Sequence, residues 1–134
     1  MGPSMSPISD VMTPAPRAVA AEESVATAAA MMQQHGIRHL PVIKQGKLAG
    51  ILSQRDVYLA TEVFEHPTDR LEQPVWTICS RHAYTVDADA PIDEVAEHMA
   101  NEHLGSVLVT RNDVLVGIVT TSDICRAYAA LLRA

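Results

Sequence analysis

The sequence predicts an α+β protein made of two copies of one small unit, and three observations lead to that fold class. Shifting the chain by 67 positions aligns residues 19–57 with residues 86–124 without a gap. Nine of the 39 aligned pairs are identical, and most of the others keep their apolar or polar character. In each copy, a stretch whose apolar residues have helical spacing comes first. Two short runs of β-forming residues follow, with turn-forming residues between them. Each unit is therefore predicted to run strand, helix, strand, strand, helix.

The first helix of each copy is predicted from apolar residues at i, i+3, i+4 and i+7, which share one helix face. These residues are Val25, Ala28, Ala29 and Met32 in the first copy and Ile92, Val95, Ala96 and Met99 in the second. Ser24 and Pro91 hold the aligned position where a helix begins. Gly36 is expected to close the first helix, because glycine adopts the left-handed conformation found there.

The strands are predicted in pairs, as hairpins, at residues 40–43 with 48–52 and at residues 107–110 with 115–120. A second helix is expected near Asp56 and near Asp123, and the last helix is expected to include residues 125–132. A unit of about 50 residues can barely bury a core by itself, so two units are expected to depend on each other.

Composition excludes several classes of function. The chain has 134 residues, 48% hydrophobic and 4% aromatic, with a net charge of −6. An acidic chain with few aromatic residues is unlike a nucleic-acid binder, which needs a basic face. No apolar run approaches the roughly 20 residues of a membrane span. The two cysteines form no C-x-x-C pair and no secretory signal stands at the start, so we expect a protein of the reducing cytoplasm.

The two runs that close the copies identify a family. They are Gly50-Ile51-Leu52-Ser53-Gln54-Arg55-Asp56 and Gly117-Ile118-Val119-Thr120-Thr121-Ser122-Asp123. With residues 11–14, 36–42, 75–77 and 104–109, they resemble cystathionine β-synthase (CBS) domains over residues 9–132. The resemblance implies a free-standing tandem CBS pair (a Bateman module) of two β-α-β-β-α repeats, packed through their sheets with pseudo-two-fold symmetry. The expected division is a tail or cloning remnant (1–8), the first domain (9–60), a linker (61–74) and the second domain (75–132).

The Ser/Thr-x-x-Asp sequences at Ser53–Asp56 and Thr120–Asp123 carry the candidate chemistry. The start of a helix offers unpaired backbone N–H groups to a phosphate, and an Asp in the first turn can accept hydrogen bonds from both ribose hydroxyls. The same pattern is also a helix capping box. Both roles stay open, and they can coexist if a ligand displaces the cap.

The resemblance assigns residues to two pockets, each lined by both repeats. Pocket one would contain Thr13, Ala18, Ile37, Arg38, His39, Thr120, Ser122 and Asp123. Pocket two would contain Ser53, Arg55, Asp56, Thr77, Thr85, Leu104, Gly105 and Ser106. This grouping aligns Thr77 with Thr13 and therefore needs a three-residue insertion between Thr77 and Val86.

Arg55 stands where the second copy has Ser122. Its cation either favours additional phosphates in pocket two or is a solvated residue of the helix surface. His35 and His39 have the spacing of a metal pair but flank Gly36, so no metal site is expected. No motif of an enzyme is found, and no catalytic residue is predicted.

The function predicted from the resemblance is a non-catalytic, energy-sensing regulatory module. It would bind an adenosine-containing ligand (AMP, ADP, ATP or S-adenosylmethionine) in clefts between the repeats and signal to an unidentified partner protein. The ligand would be regulatory rather than a cofactor, and neither nucleic acid nor membrane would be a partner. The alternative is an interaction or scaffold protein that keeps this fold and binds no ligand.

The first helix also predicts a homodimer. Ala26, Thr27, Ala30 and Met31 flank its core stripe, whereas the second copy has charged or polar residues at all four positions. An apolar outer face on a small protein is typical of a partner surface. The alternative is that the last helix, residues 126–132, covers this face within the monomer.

Overall fold

The computed structural model describes residues 6–62 and 67–134, and the α+β prediction is confirmed. In chain order, the described elements are a 3₁₀ turn (Ile8–Asp10), β1 (Thr13–Pro14), β2 (Val19–Ala20), α1 (Val25–His35), β3 (His39–Lys44), β4 (Lys47–Ser53), α2 (Gln54–Glu62), α3 (Pro67–Glu72), a second 3₁₀ turn (Val75–Thr77), β5 (Thr85–Asp87), α4 (Ile92–Asn101), β6 (Ser106–Arg111), β7 (Val114–Thr120) and α5 (Thr121–Arg133). No described helix combines the length and apolar character needed to cross a membrane.

These elements form two compact units, each with its own sheet. The unit named here the Asp123 unit contains residues 6–16 and 84–134, and the Asp56 unit contains residues 17–62 and 67–83. In the Asp123 unit the strand order is β1-β7-β6-β5, with β5 parallel to β6 and the other pairs antiparallel. In the Asp56 unit the order is β2-β3-β4, with β2 parallel to β3 and β4 antiparallel to it.

The predicted helix boundaries are confirmed at the first helix of each unit. Ser24 caps α1 by accepting a hydrogen bond from the backbone N–H of Thr27, and Gly36 ends α1 with a φ of 62°. Pro91 precedes α4 and provides no side-chain cap, since it has no hydroxyl or carboxylate. The apolar stripes of both helices face buried strands, and Val25, Ala28, Val95 and Met99 are all buried.

Each unit takes a short segment from the part of the chain that belongs, by sequence, to the other repeat. Ile8 is fully buried in the core of the Asp123 unit, where its N–H donates to the carbonyl of Ala90 at 2.7 Å. Val75 is fully buried in the core of the Asp56 unit. The expected boundaries at residues 9 and 75 therefore do not coincide with the compact units. The expected tail also extends too far, because Ile8 is a core residue.

The expected linker, residues 61–74, contains ordered structure within the described residues. Thr61 is buried near the end of α2 and donates from its hydroxyl to the carbonyl of Val57 at 2.7 Å. Helix α3 occupies Pro67–Glu72, and Val25 donates its backbone N–H to the carbonyl of Gln73. This part of the chain is folded against the Asp56 unit rather than merely bridging two domains; residues 63–66 lie outside the described structure.

Candidate functional site

The acid of the Asp123 unit lies where β7 ends and α5 begins. The Thr120 backbone N–H donates to Asp123 Oδ2 at 2.9 Å, and the Asp123 N–H donates to Thr120 Oγ1 at 3.4 Å. These reciprocal bonds form the capping box that the sequence pattern allowed. Asp123 is only 7% exposed, so its carboxylate depends on protein donors more than on water.

Two residues outside the capping box complete the hydrogen bonding of Asp123. Thr13 Oγ1, from β1, donates to Oδ1 at 3.2 Å, and Arg126 donates to the same oxygen at 3.0 Å. The Thr120 hydroxyl provides a second bond to Oδ2 at 3.2 Å. A carboxylate has about four lone-pair positions, so the four bonds found here occupy its whole accepting capacity.

Asp56 lies at the equivalent place at the start of α2, but its carboxylate accepts fewer hydrogen bonds than that of Asp123. The Ser53 N–H donates to Asp56 Oδ2 at 2.9 Å, and the Asp56 N–H donates to Ser53 Oγ at 3.0 Å. Among the described residues, no hydrogen bond reaches Oδ1 of Asp56. The residue one turn further along the helix is Leu59, which takes the place that Arg126 has in the other unit. Asp56 therefore retains accepting capacity that Asp123 has used.

Arg38 and His39 lie at the same end of the Asp56 unit. His39 pairs with Ser53 across the β3–β4 hairpin, and Gln54 donates its N–H to the carbonyl of Arg38 at 2.8 Å. Burial lowers the pKa of His39; the nearby Asp56 carboxylate opposes that shift and Arg38 adds to it. The structure thus places His39 near Asp56 within its own unit, and the assignment of Arg38 and His39 to pocket one with Asp123 stays a prediction.

The leading segments of the two units are equivalent at the same 67-residue shift as the rest of the repeat. Thr13 pairs with Ile118, and Ser80 forms a bridge with Ile51, which is the aligned partner of Ile118. Met12 and Cys79 likewise donate their N–H groups to the aligned carbonyls of Ile8 and Val75. The expected three-residue insertion is therefore wrong.

Ser80, and not Thr77, is the counterpart of Thr13. Thr77 occupies the place of Asp10, and its hydroxyl donates to the carbonyl of Pro74 at 2.7 Å. Ser80 is a candidate site residue that the sequence analysis missed. Continuing the gapless alignment backward from Val86 would have found it.

The remaining predicted site residues are distributed over both units. In the Asp56 unit, Ala18 and Ile37 are half-buried, and Arg55 is exposed and has no ion pair with any described residue. In the Asp123 unit, Ser122 and Thr85 are exposed, Leu104 packs against the core, and Gly105 and Ser106 lead into β6. The carbonyl of Gly105 accepts from the Thr121 N–H at 3.3 Å. The joint lining of each pocket by both repeats stays a prediction.

Neither histidines nor cysteines form a second site in the described parts of the chain. His35 ends α1 and His39 begins β3, and no cluster of three or more potential metal ligands is found among residues 6–62 and 67–134. Burial raises the pKa of the half-buried Cys79 thiol, Arg81 opposes this shift and Asp56 adds to it. A thiol with a raised pKa is a weak nucleophile at neutral pH.

Each of the two small α+β units has a buried strand that ends at a Ser/Thr-x-x-Asp helix start. This repetition defines the protein as a tandem repeat of one α+β fold. The CBS domain profile matches residues 8–62 and 75–130, so the chain belongs to the CBS domain family and carries two copies.

Known proteins and solved structures resemble the chain over most of its length. It is 28% identical to the CBS domain-containing protein YhcV of Bacillus subtilis over 90% of this chain and 84% of that protein. The structure of AcuB from Vibrio cholerae matches with a TM-score of 0.86 and 32% identity, covering 96% of this chain and 94% of that one. The CBS domain pair of protein MJ0100, solved in complex with 5′-methylthioadenosine and S-adenosylmethionine, matches with a TM-score of 0.82 and 28% identity, covering 94% and 98%.

Proposed function

We propose that this protein is a non-catalytic regulatory module that binds an adenosine-containing small molecule through Asp56 and Asp123 and signals its presence to a partner protein. The observation that carries the proposal is the repeated placement of a carboxylate in the first turn of a helix, directly after a buried strand that ends in Ser53 or Thr120. The MJ0100 pair, which binds 5′-methylthioadenosine and S-adenosylmethionine, supports adenosine as the ligand class.

The chemistry of the two acids suits a ribose. An ionised carboxylate only accepts hydrogen bonds, and a 2′,3′-diol presents two O–H donors. The first turns of α2 and α5 carry the partial positive charge of a helix N-terminus, which suits a 5′-phosphate where the ligand has one. The capping boxes do not argue against this role, because ribose hydroxyls can take over bonds that the Ser53 and Thr120 groups make to the carboxylates.

Signalling would follow from differential binding. A ligand can shift a conformational equilibrium only by binding one state more tightly than the other. The Thr13–Asp123 bond connects the leading segment to the start of α5, so a ligand that engages Asp123 changes the hydrogen bonding of a segment whose chain continues into the Asp56 unit. A partner protein that binds only one of the two conformations would therefore respond to the presence of the ligand.

The proposal is tested against the ligand-free scaffold alternative by comparing AMP with 2′-deoxy-AMP in calorimetry and thermal unfolding. We expect AMP to bind and to raise the melting temperature. The deoxy analogue should bind about 10- to 100-fold more weakly, because a hydrogen bond to a charged group contributes roughly 1.5–3 kcal/mol.

A guanosine monophosphate titration controls for nonspecific binding of phosphate. Equal affinity for AMP and 2′-deoxy-AMP would contradict ribose recognition. The absence of binding by AMP, ATP, 5′-methylthioadenosine and S-adenosylmethionine alike would favour the scaffold function.

We also propose that the protein forms a homodimer through the outer face of α1. Ala26, Thr27 and Ala30 are exposed on that face, whereas Met31 is half-buried and packs against the core of its own unit. Ala30→Glu should give a folded monomer, because burying an unpaired carboxylate at an interface is costly and Glu97 already occupies the equivalent place on α4. Light scattering at several concentrations measures the mass.

The matched control for this dimer is Glu97→Ala, which alters the equivalent helix position of the other unit and should leave the mass unchanged. A parent protein that is monomeric at tens of micromolar, or an Ala30→Glu variant that stays dimeric, would exclude the α1 face as the interface.

A further inference from the structure

We propose that Arg126 is a specificity-determining residue of the Asp123 site. Its guanidinium donates a hydrogen bond to the Asp123 carboxylate. The site therefore selects a nucleoside phosphate over an uncharged nucleoside. The inference rests on the proposed function and concerns the ligand class of one of its two sites.

The Asp123 carboxylate already accepts as many hydrogen bonds as it can. Arg126 donates to Asp123 Oδ1 at 3.0 Å, next to the bond from Thr13 at 3.2 Å. Both bonds from Thr120 go to the other oxygen, Oδ2. A ribose diol that binds Asp123 must therefore displace existing donors, since no lone-pair position is left for it.

The donor that a ribose must displace from Oδ1 is a cation, Arg126. A hydroxyl bond to a carboxylate is charge-assisted through its acceptor alone, whereas the guanidinium bond also pairs two opposite charges. Two ribose hydroxyls are neutral donors, so they replace the Arg126 bond incompletely at a carboxylate that is only 7% exposed. An uncharged nucleoside is therefore disfavoured at this site.

The displaced Arg126 guanidinium needs a new anionic partner. The Arg126 side chain is 74% exposed and lies one turn after Asp123 on α5, near the helix start where a phosphate would bind. A ligand with a phosphate offers Arg126 a new anionic partner, which offsets the lost ion pair. An uncharged nucleoside offers no anionic partner, so the free energy lost when Arg126 leaves Asp123 is not recovered.

The other repeat provides the comparison. Leu59 stands in the place of Arg126, and among the described residues only the Ser53 N–H donates to the Asp56 carboxylate. A diol can bind there without displacing a cation. The Asp56 site should therefore accept an uncharged nucleoside more readily than the Asp123 site does.

Calorimetry with 5′-methylthioadenosine and AMP tests the proposal in an Asp56→Ala background, which isolates the Asp123 site. We expect AMP to bind at least about tenfold more tightly than 5′-methylthioadenosine. Adding Arg126→Leu, the residue that the first repeat already has, should strengthen 5′-methylthioadenosine binding about tenfold and reduce the preference for AMP about tenfold or more. Arg126→Gln should act in the same direction, and circular dichroism checks that each variant is folded.

The matched control is Leu59→Arg in an Asp123→Ala background, which should weaken 5′-methylthioadenosine binding at the Asp56 site about tenfold. Unchanged 5′-methylthioadenosine affinity in both Arg126 variants overturns the proposal, even if AMP binding is lost, because Arg126 would then only contact phosphate. If the parent protein binds neither ligand, the proposed function fails and this inference fails with it. If the parent binds both and the Arg126 variants have no effect, only this inference fails.

Discussion

Gly50→Ala is expected to destabilise the Asp56 unit by about 3 kcal/mol, the cost of overpacking together with weakened backbone hydrogen bonds. A Cβ at Gly50 would lie 2.3 Å from the carbonyl oxygen of Ser80 and 3.3 Å from the sulfur of Cys79. Ser80 cannot withdraw freely, because it exchanges two backbone hydrogen bonds of 2.9 Å with Ile51. Chemical denaturation followed by circular dichroism measures the loss.

Gly117→Ala is the matched control, since Gly117 is the aligned residue of the Asp123 unit. There the new Cβ meets the side chain of Met12, with the sulfur at 2.3 Å, and no backbone atom is among its nearest neighbours. A methionine side chain has three rotatable bonds and can move, so we expect a cost of only about 1 kcal/mol. Equal destabilisation by the two substitutions would contradict the role given to the Ser80 backbone.

The elements of the fold were predictable because their signals are local. The apolar spacing of α1 and α4, the Ser24 cap and the left-handed Gly36 each depend on a few neighbouring residues. The exchange of the leading segments is not local. Whether Ile8 packs with the first or the second repeat depends on contacts with residues about 80 positions away, such as Ala88 and Ala90.

The position of His39 shows why the register of a hairpin is hard to predict from sequence. Counting pairs outward from the turn, where Lys44 pairs with Lys47 and Ile43 with Leu48, would place His39 opposite Leu52. The hairpin has a register shift between Val42 and Ile43, so His39 lies opposite Ser53 instead. A β-bulge inserts one residue without a clear sequence signature, and this one moves a histidine to the acid end of its own unit.

The two acids themselves were predictable from the Ser/Thr-x-x-Asp pattern, but their different surroundings were only partly so. The i,i+3 spacing of Asp123 and Arg126 is visible in the sequence and is typical of a helical ion pair. The bond from Thr13 is not visible, because 110 positions separate the two residues. Ser80 was missed because the alignment matched Thr77 with Thr13 and accepted a gap.

Asp56→Ala and Asp123→Ala should each eliminate one adenosine-ligand site, and the double variant should eliminate binding altogether. Each substitution removes the only carboxylate that we assign to the ribose in its site. The loss of two charge-assisted bonds of roughly 1.5–3 kcal/mol each corresponds to a fall in affinity of at least about 100-fold. Calorimetry with AMP at high protein concentration would count the remaining sites, and Asp89→Ala, at an exposed acid, is the control.

Asp123→Ala and Asp56→Ala should also differ in stability, because the Asp123 carboxylate accepts more hydrogen bonds from the protein than the Asp56 carboxylate does. Asp123→Ala leaves the Thr120 N–H, the Thr13 hydroxyl and the Arg126 guanidinium without their common acceptor, so we expect a loss of about 2–3 kcal/mol. Asp56→Ala removes one bond of a capping box and should cost about 1 kcal/mol. If each single variant still binds ligand at both sites, the two acids do not bind the ligand. If the two variants lose the same stability, the two carboxylates do not differ in the hydrogen bonds that they accept from the protein.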